Sequence, residues 1–218
     1  FSCHGAFRRV NINNPMIPAV FENRRLETIL PDPDIEALVS QVSKTNLQSG
    51  VNDLVAFGTR RHNQPGEVQA QNWIRQELEN IGCQTSLFNY DSGADVVIGD
   101  IPGVTQPEKI VIIGGHYDSI NYATTTGNAP GADDDASGVS AVLEIARILA
   151  GNSFDYTLRF CAWSGEEFGL LGSEAYASYL ASQGTDVIGM IQLDMIASRA
   201  NGDSRSVDFV LNDTTPSL

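Results

Sequence analysis

Three consecutive aspartates, Asp133, Asp134 and Asp135, sit in the loop Ala129-Pro-Gly-Ala-Asp-Asp-Asp-Ala-Ser-Gly138. They repel one another, and the residues after them read as the start of a buried helix, so packing does not explain the run. A hard divalent cation would. An isolated acidic run is more often a solvated turn, but three further clusters change that reading: His116-Tyr-Asp118, Glu166-Glu167 and Asp194. Singly, each has an ordinary explanation: a hydrogen-bonded core histidine, a helix N-terminus favoured by the macrodipole, a strand-end cap. Together, one imidazole and at least three carboxylates form a mixed nitrogen and oxygen donor set that suits zinc, with cobalt or manganese able to substitute. Asp118, two residues beyond His116, is spaced to orient its ring. Adjacent glutamates diverge, so one can bind metal while the other takes a proton from water and returns it to a leaving amine. Two ions roughly 3.5–4 Å apart, sharing a carboxylate and a water, would bring that water's pKa toward neutrality.

Four clusters meet only if the fold brings them to one edge. Lys109-Ile-Val-Ile-Ile-Gly-Gly115 is an unbroken apolar run, as in a strand covered on both faces. It ends at His116. Tyr156–Trp163 reads as a strand ending just before Glu166, and Val187–Leu193 as one ending at Asp194. Further strands are expected near 84–90, 94–101 and 206–211. Helices are expected at 33–43, 47–57, 65–82, 138–150 and 168–183. Ile35, Leu38, Val39 and Val42 share a helical face, as do Val68, Trp73, Ile74, Leu78 and Ile81, with Gly82 at the C′ position. The alternation implies an α/β fold, a mixed, largely parallel sheet sandwiched between helices, with ligands at the strands' C-terminal ends. Residues 1–31 lack periodicity and are expected to form an N-terminal arm or the remnant of a pro-segment.

The formal charge is −14, from 27 acidic and 13 basic residues, which argues against nucleic acid and anionic membrane as partners. No apolar run approaches membrane-spanning length. The opening Phe1-Ser-Cys-His4 is that expected of a processed product. Cys161 lies in an apolar run and is expected to be a buried thiol, while Cys3 and Cys83 could pair if the protein is secreted.

Gly114-Gly-His-Tyr-Asp-Ser119, Pro130-Gly-Ala-Asp-Asp-Asp-Ala-Ser-Gly138, Trp163-Ser-Gly-Glu-Glu-Phe-Gly-Leu-Leu-Gly-Ser173 and Gln192-Leu-Asp-Met195 stand in one order and spacing. In these, residues 33–218 resemble the co-catalytic di-zinc aminopeptidases of the secreted bacterial leucyl type. The resemblance implies that 32–218 are the N-terminal major part of a zinc exopeptidase catalytic domain holding two zinc ions. Asp134 would bridge the ions, His116 and Asp194 would complete one site, and Glu167 would bind the other. Glu166 would be the general base and acid, and Asp118 would orient His116. The peptide before Asp135 would be cis. The implied reaction is attack by a metal-bridging hydroxide on the first peptide bond of a substrate with a free N-terminus and an apolar first residue. Secretion or periplasmic export is implied as well.

One departure stands out. The family's second zinc takes a histidine from beyond the position matching residue 218, and neither His4 nor His62 matches it. The chain also stops before the family's last helices and strands, so the fold is expected to be incomplete at the C-terminus. A companion C-terminal chain from the same precursor would then supply that histidine. On the same fold, carboxypeptidase or glutaminyl cyclase chemistry is the alternative, although the triple-Asp loop disfavours the single-zinc cyclase. A non-catalytic binding domain or inactive fragment rests only on the absent histidine, and a calcium-only site is at odds with His116.

Overall fold

A computed structural model describes residues 32–123 and 127–198, together with two short strands at Arg8–Val10 and Val207–Phe209. The chain divides into two compact units, Pro33–Ser198 and a second made of Phe1–Asp32 with Arg199–Leu218. In the second unit Arg8–Val10 (β1) pairs antiparallel with Val207–Phe209 (β7). Otherwise the expected arm over 1–31 lies outside the described residues.

The larger unit runs α1 (Pro33–Val39), α2 (Lys44–Ala56), α3 (Pro65–Ile81), β2 (Gln84–Phe88), β3 (Val96–Ile101), β4 (Gln106–His116), α4 (Ala136–Leu149), β5 (Tyr156–Trp163), a 3₁₀ turn (Glu166–Phe168), α5 (Leu171–Ser182) and β6 (Asp186–Gln192). Its five-stranded sheet has the order β2-β3-β5-β4-β6. β4 runs parallel to both β5 and β6, while β3 is antiparallel to β2 and to β5. The pairing sets His116 opposite Trp163 and Gly114 opposite Gln192, so three parallel strands end side by side.

Local chemistry explains the elements. Ser43 caps α2 by accepting the Asn46 N–H, Pro65 opens α3, and Gly82 ends α3 in the left-handed region at φ 104°. Asp135 caps α4 by accepting the Gly138 N–H at 2.8 Å. One core lies between α2, α3, α4 and the sheet, with Leu54, Ile74, Leu78, Val139, Val142 and Phe160 buried in it. Each such side chain contributes about 1.5–3 kcal/mol by leaving water. A second core packs Tyr176 and Leu180 of α5 on the other face, against Ile112 and Trp163. Cys161 is a buried free thiol as expected; Cys83 is also free and buried, and Cys3 lies outside the described residues.

Of the expected apolar faces, that of α1 is uncovered and that of α3 is buried except at its margin. Ile35, Val39 and Val42 of the first helical pattern are exposed, and α1 buries none of its residues. In α3, Ile74 and Leu78 are covered but Val68 is exposed, and Trp73 meets Phe57 at the margin. Edge strand β6 likewise leaves Met190 and Ile191 exposed. Periodicity marks which residues share a face, not whether another element covers it.

Glu144 on α4 is the polar clasp of this unit. Its carboxylate accepts the Ser43 N–H at 2.7 Å and the Asn46 amide at 3.1 Å, and Arg147 donates to both of its oxygens. Arg147 first, then the donors of α2, hold the Glu144 carboxyl down at about 2 against an ordinary 4.5. A carboxylate shifted down stabilises the fold above its unfolded pKa, and that stability drains as pH falls toward the folded one. Replacing Glu144→Gln should therefore cost about 2 kcal/mol at pH 7. The deficit relative to wild type should shrink between pH 4.5 and pH 2. Urea unfolding of both proteins at pH 7 and pH 3 checks this.

Candidate metal centre

His116 is the last residue of β4 and is 1 % exposed. Its Nε2 lies 3.0 Å from Asp134 Oδ1, 3.8 Å from Asp194 Oδ1 and 3.9 Å from Glu166 Oε2. On the other side of the ring, Nδ1 is 3.2 Å from the Asp118 carbonyl and 3.5 Å from its carboxylate. His116, Asp134 and Asp194 form a group of ligand atoms mutually within 4.8 Å. One buried imidazole nitrogen and two carboxylates, half open to solvent, match the three protein ligands and free position of a catalytic zinc site.

Glu167 is not in that group. Its carboxylate instead accepts a hydrogen bond from the Tyr122 hydroxyl, on the exposed loop after β4. Neither Tyr122 nor Arg60, described below, carries a sequence signal of its own. Asp118, Asp133 and Asp135 are held by backbone amides. Asp118 accepts the Glu166 and Glu167 N–H groups at 3.0 and 3.2 Å. Asp135 accepts those of His116, Gly138 and Met195, and Asp133 accepts those of Ala197 and Ser198 at 2.9 Å. The triple-Asp run is therefore not three carboxylates awaiting a cation. Two of them tie the loop to β4, α4 and the segment after β6, and only the middle one turns to His116.

The backbone around the site has little latitude. The Asp134–Asp135 peptide is cis. A Cβ at Gly138 would collide with the Asp135 carboxylate and the Leu193 carbonyl, so α4 can start against the end of β6 only with glycine there. Gly165, at φ 68°, turns the chain from β5 into the 3₁₀ segment carrying both glutamates.

The charges shape the site's proton inventory. Burial by itself would lower the His116 pKa. Hydrogen bonds with Asp118 and Asp134, and the charge of Asp135, outweigh burial and raise it to about 11. Burial, with Asp134 and Asp118 nearby, lifts Glu167 to about 7 against the opposing Tyr122 bond and His116 charge. Without metal, His116 is thus an imidazolium at neutral pH, and a cation entering the group must displace its proton. Zinc titration calorimetry of the metal-free protein at pH 7, in buffers of different ionisation enthalpy, should show about one proton released per ion and affinity rising with pH. Asp134→Asn should weaken binding by at least about 100-fold, whereas Asp133→Asn, which keeps the acceptor for Ala197 and Ser198, should leave it within about threefold.

Known proteins resemble this chain in sequence and fold. The chain is 31 % identical over 217 residues to a probable zinc metalloprotease of Pyrenophora teres f. teres, covering 88 % of this chain and 46 % of the relative. It is 34 % identical over 178 residues to leucine aminopeptidase 1 of Paracoccidioides brasiliensis, covering 74 % and 45 %. The chain thus spans about half the length of the curated relatives it matches. LapB from Legionella pneumophila superposes with a TM-score of 0.70 at 25 % identity, over 80 % of this chain and 49 % of that one. Residues 96–214 match the model of peptidase family M28. That segment is more than half of the sequence and carries all four motif clusters, and the chain belongs to peptidase family M28.

Proposed function

We propose that this chain carries the metal-binding and proton-transfer half of a zinc-dependent aminopeptidase. The observation that carries the reading is the convergence of Asp134, Asp194 and Glu166 within 3.9 Å of His116 Nε2. In it, His116, Asp134 and Asp194 would hold one zinc ion, and Asp134 with Glu167 would contribute to holding a second. When bound, zinc would polarise a peptide carbonyl and acidify a water.

Glu166 lies beside that group, and among the described residues no backbone N–H donates to its carboxylate, unlike those of Asp118, Asp133 and Asp135. Burial first, then Asp118, Asp194 and Asp134, raises its pKa, and the His116 charge opposes the rise. A carboxylate so raised is a better proton acceptor at working pH, as a general base for water requires. Asp118 holds the Glu166 and Glu167 amides from below, which fixes where both side chains start. The surplus negative charge around the site would attract a protonated α-amine, and so a free N-terminus. An apolar first residue, as in leucine peptides, is the substrate class that the named relatives suggest.

His62 does not serve as the second ion's nitrogen ligand, because both its ring nitrogens are engaged, by Glu67 and Asp91. We assign that ligand to a further polypeptide segment, in keeping with the half-length match to the relatives. Carboxypeptidase and glutaminyl cyclase chemistry on this fold remain the competing readings. The full-length protein that includes this chain, supplied with zinc, should release p-nitroaniline from leucine p-nitroanilide and leave acetyl-leucine p-nitroanilide intact. Glu166→Gln should retain its zinc and lose roughly 10²–10⁴-fold in kcat. Retained turnover in that variant, or equal cleavage of the acetylated substrate, would contradict the assignment.

A further inference from the structure

The short connection Thr59–Asn63, between α2 and α3, reaches every loop of the metal centre except the one after β6. We propose that Arg60 and His62 are positioning residues acting on separate halves of the site: Arg60 holds the loops bearing His116 and Asp134, and His62 holds the turn bearing Glu166 and Glu167. The inference rests on the roles given to those four residues above.

Arg60 is fully buried, and its guanidinium is a knot between three segments. Nε donates to the Tyr117 carbonyl at 2.7 Å, Nη1 to Leu54 at 3.1 Å and Pro130 at 2.6 Å, and Nη2 to Gly131 at 3.0 Å. Its main chain continues the knot. Arg60 N–H donates to Ser119 Oγ at 3.1 Å, Ser119 N–H returns to the Arg60 carbonyl at 3.1 Å, and Ser119 Oγ donates to Ala129 at 2.7 Å. Tyr117 follows His116, and Gly131 is three residues from Asp134. A planar fork of five donors can serve carbonyls on diverging segments, whereas an ammonium concentrates three donors at one point. Arg60 also places a buried positive charge where Asp118, Asp134 and Asp135 feel it.

His62 works on the opposite side. Its Nδ1 is 3.2 Å from Glu67 Oε1 and its Nε2 is 2.9 Å from Asp91 Oδ2. Glu67, fully buried in the first turn of α3, accepts the Ser164 hydroxyl at 2.7 Å and the Asn63 N–H at 2.8 Å. Tyr90 bonds to Ser164 as well, at 2.9 Å between hydroxyls. The His62 ring packs on Phe168 at 5.7 Å between centroids, and the Arg61 guanidinium lies 4.9 Å above the same ring. Ser164 and Phe168 bracket Glu166-Glu167, so the turn is gripped at both ends by one histidine and its partners. A carboxylate base displaced by about an ångström loses roughly 100-fold in rate.

Two variants of the full chain test this. Arg60→Lys keeps the charge and loses the fork; His62→Phe keeps a ring on Phe168 and loses both hydrogen bonds. Amide hydrogen exchange of the metal-free proteins should quicken at 129–135 and not at 165–169 in the first, and at 165–169 and not at 129–135 in the second. Zinc affinity should fall at least about tenfold in Arg60→Lys. In His62→Phe it should stay within about threefold, while kcat drops by roughly 100-fold at nearly constant KM. His62→Gln, which keeps one donor, should recover part of that kcat. Should Arg60→Lys not fold, Ser119→Ala removes only the hydroxyl between Arg60 and Ala129 and should loosen the same 129–135 segment. Exchange that quickens in both segments with either variant, or in neither, overturns the division of labour, as does unchanged zinc affinity in Arg60→Lys. If wild type binds zinc but cleaves no leucine anilide, the aminopeptidase reading fails by itself, and exchange with calorimetry still decides the positioning roles.

Discussion

Like charges cannot be gathered around one imidazole unless each is answered by a donor or a cation, and this constraint orders the rest of the structure. Asp118, Asp133 and Asp135 are answered by main-chain N–H groups, and Glu167 by the Tyr122 hydroxyl. Asp134, Asp194 and Glu166 are left facing His116 Nε2. Removing charge from water without a partner costs several kcal/mol, so the division between answered and unanswered carboxylates is also a division between scaffold and chemistry.

The donors that satisfy the scaffold carboxylates exist because of the sheet. β4, β5 and β6 end side by side in parallel, and each then turns sharply. Main-chain amides freed from the ladder at those ends, and at the first turn of α4, point at Asp118, Asp133 and Asp135. The carboxylates in turn fix the segments that donated to them. Asp133 and Asp135 between them bind Met195, Ala197 and Ser198, so the loop bearing Asp134 also positions the residues that follow Asp194. The site is thus a mutual arrangement of strand ends, not a set of ligands attached to a finished frame.

This explains what could be read from the residues alone. The apolar run before His116, the Gly/Pro boundaries of the Asp loop and the strand ending at Trp163 are local signals, and the elements fall within a few residues of where those signals put them. The convergence of His116, Asp134 and Asp194 was legible for the same reason, since each closes or follows a strand. Which aspartate of the triplet faces the site was not legible from residue types, because Asp133 and Asp135 differ from Asp134 only in the amides that reach them. Arg60 and His62 left no trace either. Their partners lie on segments distant in sequence, such as Pro130, Ser164 and Phe168, and no periodicity encodes that. The apolar face of α1 erred in the other direction, showing a pattern that nothing among the described residues covers.

In the proposed function, a single imidazole and carboxylates at the end of β4 would hold one zinc ion. X-ray absorption at the zinc edge, on protein loaded with one equivalent, tests it most directly. The expected spectrum shows a shell of nitrogen and oxygen at about 2.0–2.2 Å, with the outer scattering of one imidazole and no sulfur. A sulfur distance near 2.3 Å, which would implicate a cysteine, or the absence of imidazole scattering would contradict it.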